Sequence, residues 1–342
     1  MFHGPDFYLV SWGAALISAV IAFFLVTRVS WLQRLIVRNE TGRSALSPAY
    51  YRLGGAVLAI LFLTILFADI RLERSAPFMA LCIGSLAIIV FSIADDFSHV
   101  PWPWHILFQT LLGGLVFSSG MQPDFGLHVS WLPDHWLTIS ALVGIVAWVI
   151  LIMNALNWVD GTDGLMPGIA AFSFATIFLL ALRPEVNQPA IAILSLTLLG
   201  LSLGLLFFNW YPAKIIAGTG GAYFLGFALA TLALYAGTKV ATLLMVLAIP
   251  VFDALFVLVR RLIGGRSLFL PDKAHLHHLL LARGWQPATV ASVYLSFTAC
   301  LGLLALMLRD MGKVFAFSLV GLLIAAATML LHWSLRNTQK VS

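Results

Sequence analysis

Long apolar runs separated by short polar stretches organise this chain from end to end. A bilayer core of about 30 Å is crossed by about 20 mostly apolar residues in helical form. Runs of that order lie at 7–27, 53–70, 78–94, 105–120, 137–153, 167–182, 190–207, 220–236, 240–259, 288–308 and 314–333. They predict an all-α, polytopic membrane protein with about 11 transmembrane helices, the runs at 105–120 and 167–182 being the least secure. No internal repeat, low-complexity tract or soluble-domain segment interrupts them, so residues 1–342 read as a single integral membrane domain.

Composition leads to the same place. Hydrophobic residues make up 61% of the chain and charged residues 10%, against about 25% charged in a soluble domain. Such a chain cannot cover its own surface with polar groups, and lipid must be its solvent. The net charge of +5 therefore points to cytoplasmic loops and anionic headgroups instead of nucleic acid. Cys82 and Cys300 both sit inside apolar runs and suggest neither a disulfide nor a zinc site. The first run lacks a basic segment before it and a small-residue cleavage site after it, so it does not read as a signal peptide.

Orientation follows from the cations. One set of loops carries Arg28, Arg34, Arg38, Arg43, Arg52, Lys214, Arg260, Arg261, Arg266, Lys273, Arg283, Arg336 and Lys340. The other carries Arg71, Arg74, Arg183, Lys239, Arg309 and Lys313. The positive-inside rule places the N-terminus outside and the C-terminus in the cytoplasm, which an odd number of spans requires. The loop at 121–136, rich in aromatics and prolines, reads as an interfacial segment.

Four polar clusters fall on the cytoplasmic side. Asp95 and Asp96 end the third run, where two like charges and a helix C-terminus are mutually unfavourable unless a cation or donors offset them. A solvated pair that merely ends the helix is the plain alternative. In the run NALNWVDGTDGL, Asn154, Asn157, Asp160 and Asp163 recur every third position. A continuous helix would rotate them apart, so Gly161 and Gly164 suggest that the helix opens after Asn157 into a loop where amides and carboxylates converge. An ordinary Asx/Gly turn explains one Asp-Gly but not four ordered polar positions, and the spacing is not that of an EF-hand. The third cluster, around Lys214, Gly218, Thr219, Gly220 and Gly221, fits either phosphate approach or close helix packing. In the fourth, Asp272 reads as the N-cap and Gly284 as the stop of a short helix carrying His275, His277 and His278 among basic residues. Zinc and incidental surface histidines are its competing readings. Carboxylates for a divalent ion beside basic groups for phosphates suit phosphoryl transfer.

With these residues in hand, the chain resembles the polyprenyl-phosphate N-acetylhexosamine-1-phosphate transferases. The resemblance rests on RLGG at 52–55, Asp95-Asp96, NALNWVDGTDGL, PAK at 212–214 and HLHH at 275–278, in that order. The run PDKAHLHH is similar to the N-acetylglucosamine-1-phosphate branch. The resemblance implies transfer of an N-acetylhexosamine 1-phosphate, GlcNAc-1-phosphate foremost, from a UDP-sugar to polyprenyl phosphate, with release of UMP, in a bacterial cell membrane and for cell-envelope polysaccharide. It implies Asp95, Asp96 and Asp163 as catalytic groups. Asn154, Asn157, Asp160, Lys214, Arg266, His275, His277 and His278 become substrate contacts. Magnesium, with manganese as a substitute, is expected on Asp96, Asp160, Asp163 and Thr219, and a homodimer is the expected assembly.

One departure touches the metal. Where the family carries an aspartate, this chain has Thr219, whose neutral hydroxyl is a poorer ligand for a hard cation. Altered metal ligation in a working enzyme is the expectation; weaker metal dependence or a catalytically altered lipid- or nucleotide-binding scaffold are the alternatives. A secondary transporter would place its polar groups near the midplane on broken helices, whereas these cluster at one face.

Overall fold

The computed structural model describes residues 6–28, 54–98, 100–121, 133–235, 240–265 and 274–341. Their regular structure is helical: α1 (Asp6–Arg28), α2 (Gly54–Ala68), α3 (Ala76–Ser98), α4 (Trp102–Ser118), α5 (Asp134–Val159), α6 (Leu165–Ala181), α7 (Pro189–Asn209), α8 (Gly218–Tyr235), α9 (Val240–Val246), α10 (Ala248–Ile263), α11 (Leu276–Ala282), α12 (Pro287–Met307) and α13 (Asp310–Val341). In lipid every backbone N–H and C=O must be satisfied within the protein, and a helix does this within one segment. Proline marks several starts: α4, α7 and α12 all carry one in their first two positions, where the missing N–H has no helical partner to lose.

Each of the eleven apolar runs is helical, and the chain is a polytopic membrane protein. Among the described residues, seven helices (α1, α3, α5, α7, α8, α12 and α13) are long and apolar enough to cross a bilayer. The runs at 105–120 and 167–182 become α4 and α6 of 17 residues each, about 26 Å long at 1.5 Å per residue. The run at 53–70 becomes α2, shorter still at 15 residues. The run at 240–259 departs from expectation: it is not one helix but α9 and α10, bent by 80° at a single-residue break. Pro250, in the first turn of α10, has no N–H to return to the carbonyl of Val246, and the ladder opens there. Counting the bent pair as one span gives eight.

The central helix is α8. It has 15 buried residues of 18 and packs against α2, α3, α5, α6, α7 and α9. Its approach to α2 depends on missing side chains. A β-carbon on Gly55 would lie 2.0 Å from the Gly221 nitrogen, and one on Gly220 would lie 2.5 Å from Ser92 Cβ of α3. Close packing is thus what these glycines achieve, and the Gly55 N–H donates to the Ala217 carbonyl at 3.1 Å across the junction. Around this centre, α1 packs on α7, α4 on α5, α12 on α6 and α9, and α13 on α9 and α10.

The end of the bundle away from the polar motifs is tied by short polar links. Ser11 Oγ donates to Asp69 Oδ2 at 3.1 Å and Arg71 Nε to Asp69 Oδ1 at 2.7 Å. Burial pushes the Asp69 carboxyl up, but its bonds with Arg71 outweigh this and hold it below the usual carboxylate range. Ser75 Oγ and Tyr235 OH are 2.8 Å apart, Lys313 Nζ donates to Thr242 Oγ1 at 3.0 Å, and the Arg183 guanidinium donates to the Leu306 carbonyl.

Candidate active site

The loop between α5 and α6 is the hub of the opposite end. α5 continues two residues past Asn157, to Val159, with Asp160 as its C-cap residue, so the helix opens slightly later than expected. Asn154 and Asn157 then lie on its last turns. The loop closes at Gly164, whose φ of +77° is a left-handed geometry that glycine adopts without strain. A β-carbon there would also press on Trp210 at 2.9 Å. Asn209, buried at the end of α7, clamps this turn: its Oδ1 accepts from the Gly164 N–H at 2.8 Å and its Nδ2 donates to the Ile215 carbonyl at 2.8 Å. Asp163 Oδ2 accepts from the Ala213 N–H at 3.0 Å. Burial pushes the Asp163 carboxyl above its ordinary value, against the pull of that N–H. The DGTDG and PAK stretches, 50 positions apart, thereby form one structure.

The histidines close onto the same loop. A β-carbon on Gly161 would lie 3.4 Å from His278 Cε1 and 3.6 Å from His277 Nε2, so the imidazoles lie directly over a residue that has no side chain. The helix carrying them begins at Leu276, with His275 as its N-cap residue. The expected cap Asp272 lies outside the described residues, and the capping carboxylate comes instead from Asp253 of α10. Asp253 is buried; its Oδ1 accepts from the Leu276 N–H at 2.8 Å and its Oδ2 from His275 Nδ1 at 3.0 Å. A carboxylate can only accept, so His275 carries its proton on Nδ1 and presents Nε2 away from Asp253. Gly284 ends α11 as expected, at φ +86°. His277 is fully buried with no hydrogen bond to either ring nitrogen, its Nδ1 lying 3.9 Å from Asp253 Oδ2. Burial first, then the neighbouring His278 and His275, push it well below the usual histidine value, so it is neutral.

Asp95 occupies a second pocket of polarity at the same end. Its Oδ1 accepts from the Val100 N–H at 3.1 Å and lies 3.3 Å from His105 Nε2. His105 Nδ1 lies 2.9 Å from the Tyr223 hydroxyl, and the Thr219 hydroxyl faces the Asp95 carboxylate. At the position of the departure, the side chain thus supports Asp95 where a second carboxylate would repel it. One turn deeper, Asn154 Nδ2 donates to Gln109 Oε1 at 2.7 Å and to the Ile150 carbonyl at 2.8 Å. This amide is therefore committed to α4 and is not gathered with Asp160 and Asp163. Asp96 and Asp160 are half-buried at their helix ends.

Lys214 is exposed and lines a groove beside Arg28 at the end of α1. Arg266 and Arg52 fall outside the described residues, as does most of the interfacial segment at 121–136. Among the described residues no three His, Cys, Asp or Glu side chains converge in a metal-holding group. Sequence reasoning passed over Asp253, His105, Tyr223 and Asn209. Asp253 and His105 had a usable signal, since an ionisable residue inside an apolar run is rare and usually has a partner.

Comparison with known proteins follows the same residues. Residues 78–237 match the family described as Glycosyl transferase family 4. The chain is 31% identical over 284 residues to a Bacillus subtilis (strain 168) protein named "Probable undecaprenyl-phosphate N-acetylglucosaminyl 1-phosphate transferase", covering 81% of this chain and 78% of that one. It is 27% identical over 265 residues to the undecaprenyl-phosphate alpha-N-acetylglucosaminyl 1-phosphate transferase of Yersinia pestis, covering 72% and 69%. It is 29% identical over 297 residues to the phospho-N-acetylmuramoyl-pentapeptide-transferase of Anoxybacillus flavithermus (strain DSM 21510 / WK1), covering 79% and 90%.

Proposed function

Because the chain belongs to glycosyl transferase family 4, we propose that it transfers GlcNAc 1-phosphate from UDP-GlcNAc to polyprenyl phosphate. A lipid phosphate oxygen attacks the sugar-proximal phosphorus, the bond to the UMP oxygen breaks, and UMP leaves a polyprenyl-diphosphate sugar in the membrane. The observation that carries this reading is the joining of three distant stretches at one end of the bundle: Asp163 bonded to the Ala213 N–H at 3.0 Å, and Gly161 beneath His277 and His278. Phosphoryl transfer asks mainly for positioning and charge neutralisation, and these are what the stretches offer. His275, its ring oriented through Nδ1 by Asp253, stands with His278 and neutral His277 on the donor side of the loop. Asp96 receives the acceptor phosphate, with Asp95 held rigid beside it by His105 and the Val100 N–H.

Magnesium is usually held by one or two carboxylates plus substrate phosphates and waters, so a preformed triad of side chains is not required. Asp96, Asp160 and Asp163 offer the hard oxygens it takes, and it would supply neutralisation of the diphosphate charge. Thr219 fits a role beside Asp95 better than a ligand's role. We place the N-terminus outside, the C-terminus in the cytoplasm and all eleven helical runs across a bacterial cell membrane, which brings every motif named here to the cytoplasmic end.

The test is UMP release by the purified protein with UDP-GlcNAc, with and without polyprenyl phosphate, across a magnesium series including EDTA. Lipid-dependent release that Asp96→Asn abolishes is expected. Thr219→Asp is expected to shift the magnesium curve; an unmoved curve removes position 219 from any metal role. No release with any UDP-N-acetylhexosamine would leave a silent nucleotide- or lipid-binding protein as the better reading.

A further inference from the structure

A line of polar side chains runs through the interior of the bundle behind Asp95. Asn154 of α5, Gln109 and His105 of α4 and Tyr223 of α8 make it up, and it ends on Asp95 of α3. Gln109 is fully buried and Tyr223 is buried beside it. Polar groups inside an apolar bundle are costly unless each has a partner, and here the partners are one another. Asn154 Nδ2 lies 2.7 Å from Gln109 Oε1, and the Tyr223 hydroxyl lies 2.9 Å from His105 Nδ1. His105 Nε2 lies 3.1 Å from the Val100 carbonyl and 3.3 Å from Asp95 Oδ1. Phe91 meets the imidazole edge-on, with 5.0 Å between ring centroids.

The direction of the bonds is fixed from the two ends of the line. Asn154 Nδ2 also reaches the Ile150 carbonyl at 2.8 Å. A carbonyl only accepts, so this atom is the amide nitrogen and the Gln109 atom facing it is the oxygen. Gln109 Nε2, with no other partner of its own, is then the donor that faces the Tyr223 hydroxyl. At the far end, the Val100 carbonyl and the Asp95 carboxylate only accept, so His105 carries a proton on Nε2. That leaves Nδ1 to accept from the Tyr223 O–H.

We infer that Asn154 is a positioning residue for Asp95, acting through Gln109, Tyr223 and His105 as one chain of hydrogen bonds that all donate toward the carboxylate. The inference rests on the transferase reading above, in which Asp95 stands beside the group that receives the acceptor phosphate. Donors aligned head to tail polarise one another, so each bond strengthens the next. The last of them steadies a carboxylate near a helix C-terminus, where negative charge is otherwise disfavoured. Because α5 also carries the loop with Asp160 and Asp163, buried bonds set the two carboxylate-bearing arms of the site in register. In this role Asn154 touches no substrate.

Tyr223→Phe removes one oxygen from the middle of the chain and keeps the ring, and Asn154→Leu removes the donor at its head. In the UMP-release assay each is expected to lower kcat about tenfold, as loss of one hydrogen bond would, with KM for UDP-GlcNAc unchanged within about twofold. The double variant is expected to fall no further than the poorer single one, since a chain already cut cannot be cut again. Losses that multiply to about a hundredfold would overturn the inference. A raised KM for UDP-GlcNAc with kcat retained in Asn154→Leu would overturn it too, by making Asn154 a substrate contact. Nitrogen NMR of protein carrying isotope-labelled histidine reads the chain without turnover, the His105 signals being identified by their loss in His105→Gln. The wild type is expected to show Nε2 protonated and Nδ1 bare, and the Nδ1 signal to move in both Tyr223→Phe and Asn154→Leu. A wild-type proton on Nδ1 alone, or a His105 signal that neither variant moves, would overturn the chain. The expected spectra in a wild type that releases no UMP would sink the transferase reading alone.

Discussion

A buried carboxylate with two hydrogen bonds to the same motif is the residue on which the histidine cluster turns. Removing one partner of a charged hydrogen bond costs about 1.5–3 kcal/mol, so Asp253→Asn is expected to lower kcat/KM by about 10–100-fold. Its role is positioning: the amide can donate to His275 as well as accept, so neither the ring's orientation nor its tautomer is fixed any longer. Asp253→Glu should restore part of the loss and Asn should shift the pH profile of kcat/KM, whereas a merely structural role would move thermal stability and leave that profile in place. His277 makes a separate prediction. Its folded value is pushed below the ordinary 6.5, so the unfolded chain binds a proton that the folded chain does not. Stability is therefore complete above about pH 6.5 and falls as the pH drops below it. His277→Gln should flatten the acid limb of a plot of apparent Tm against pH in detergent; an acid limb as steep as the wild type's would assign it to other groups.

At the scale of elements, the junction of α2, α3 and α8 depends on hydrogen atoms where other residues have side chains. Gly55→Ala would set a methyl 2.0 Å from the Gly221 nitrogen, and backbone cannot step aside as a flexible side chain can. Overpacking of this kind costs about 1–3 kcal/mol, and apparent Tm should fall. Gly114→Ala is the control, because nothing lies within 4 Å of a β-carbon there; its Tm should hold or rise with the better helix former. Equal effects of the two substitutions would reject the packing account. The 80° bend between α9 and α10 has a related consequence: it turns α10 so that Asp253 meets α11, which a straight helix over 240–259 would not ensure.

For the whole molecule, the packed helices bring Asp95, Asp163, Lys214 and His275 to one end, while Asp69, Tyr235 and Arg183 share the other. The expected outcome follows for labelling of intact cells with a membrane-impermeant maleimide: Glu185→Cys reacts above the native-cysteine background and Trp285→Cys reacts only after permeabilisation. The reverse pattern would invert the orientation and move the proposed site outside.

Apolar runs, their flanking cations and the order of the motifs were enough to determine a helical membrane protein and its family, because lipid forces each span to satisfy its own backbone and so writes it as a continuous stretch of sequence. The same local character made Gly284 legible as a helix stop and Asp163 as part of a loop. Only the tertiary structure decided which partners those motifs take. Asp253 stands 22 positions from His275 and His105 stands 118 from Tyr223, separations that no local pattern encodes. The choice between phosphate approach and helix packing for Gly220 and Gly221 likewise needed α2 and α3 in place, since a missing side chain has meaning only once its neighbour is known.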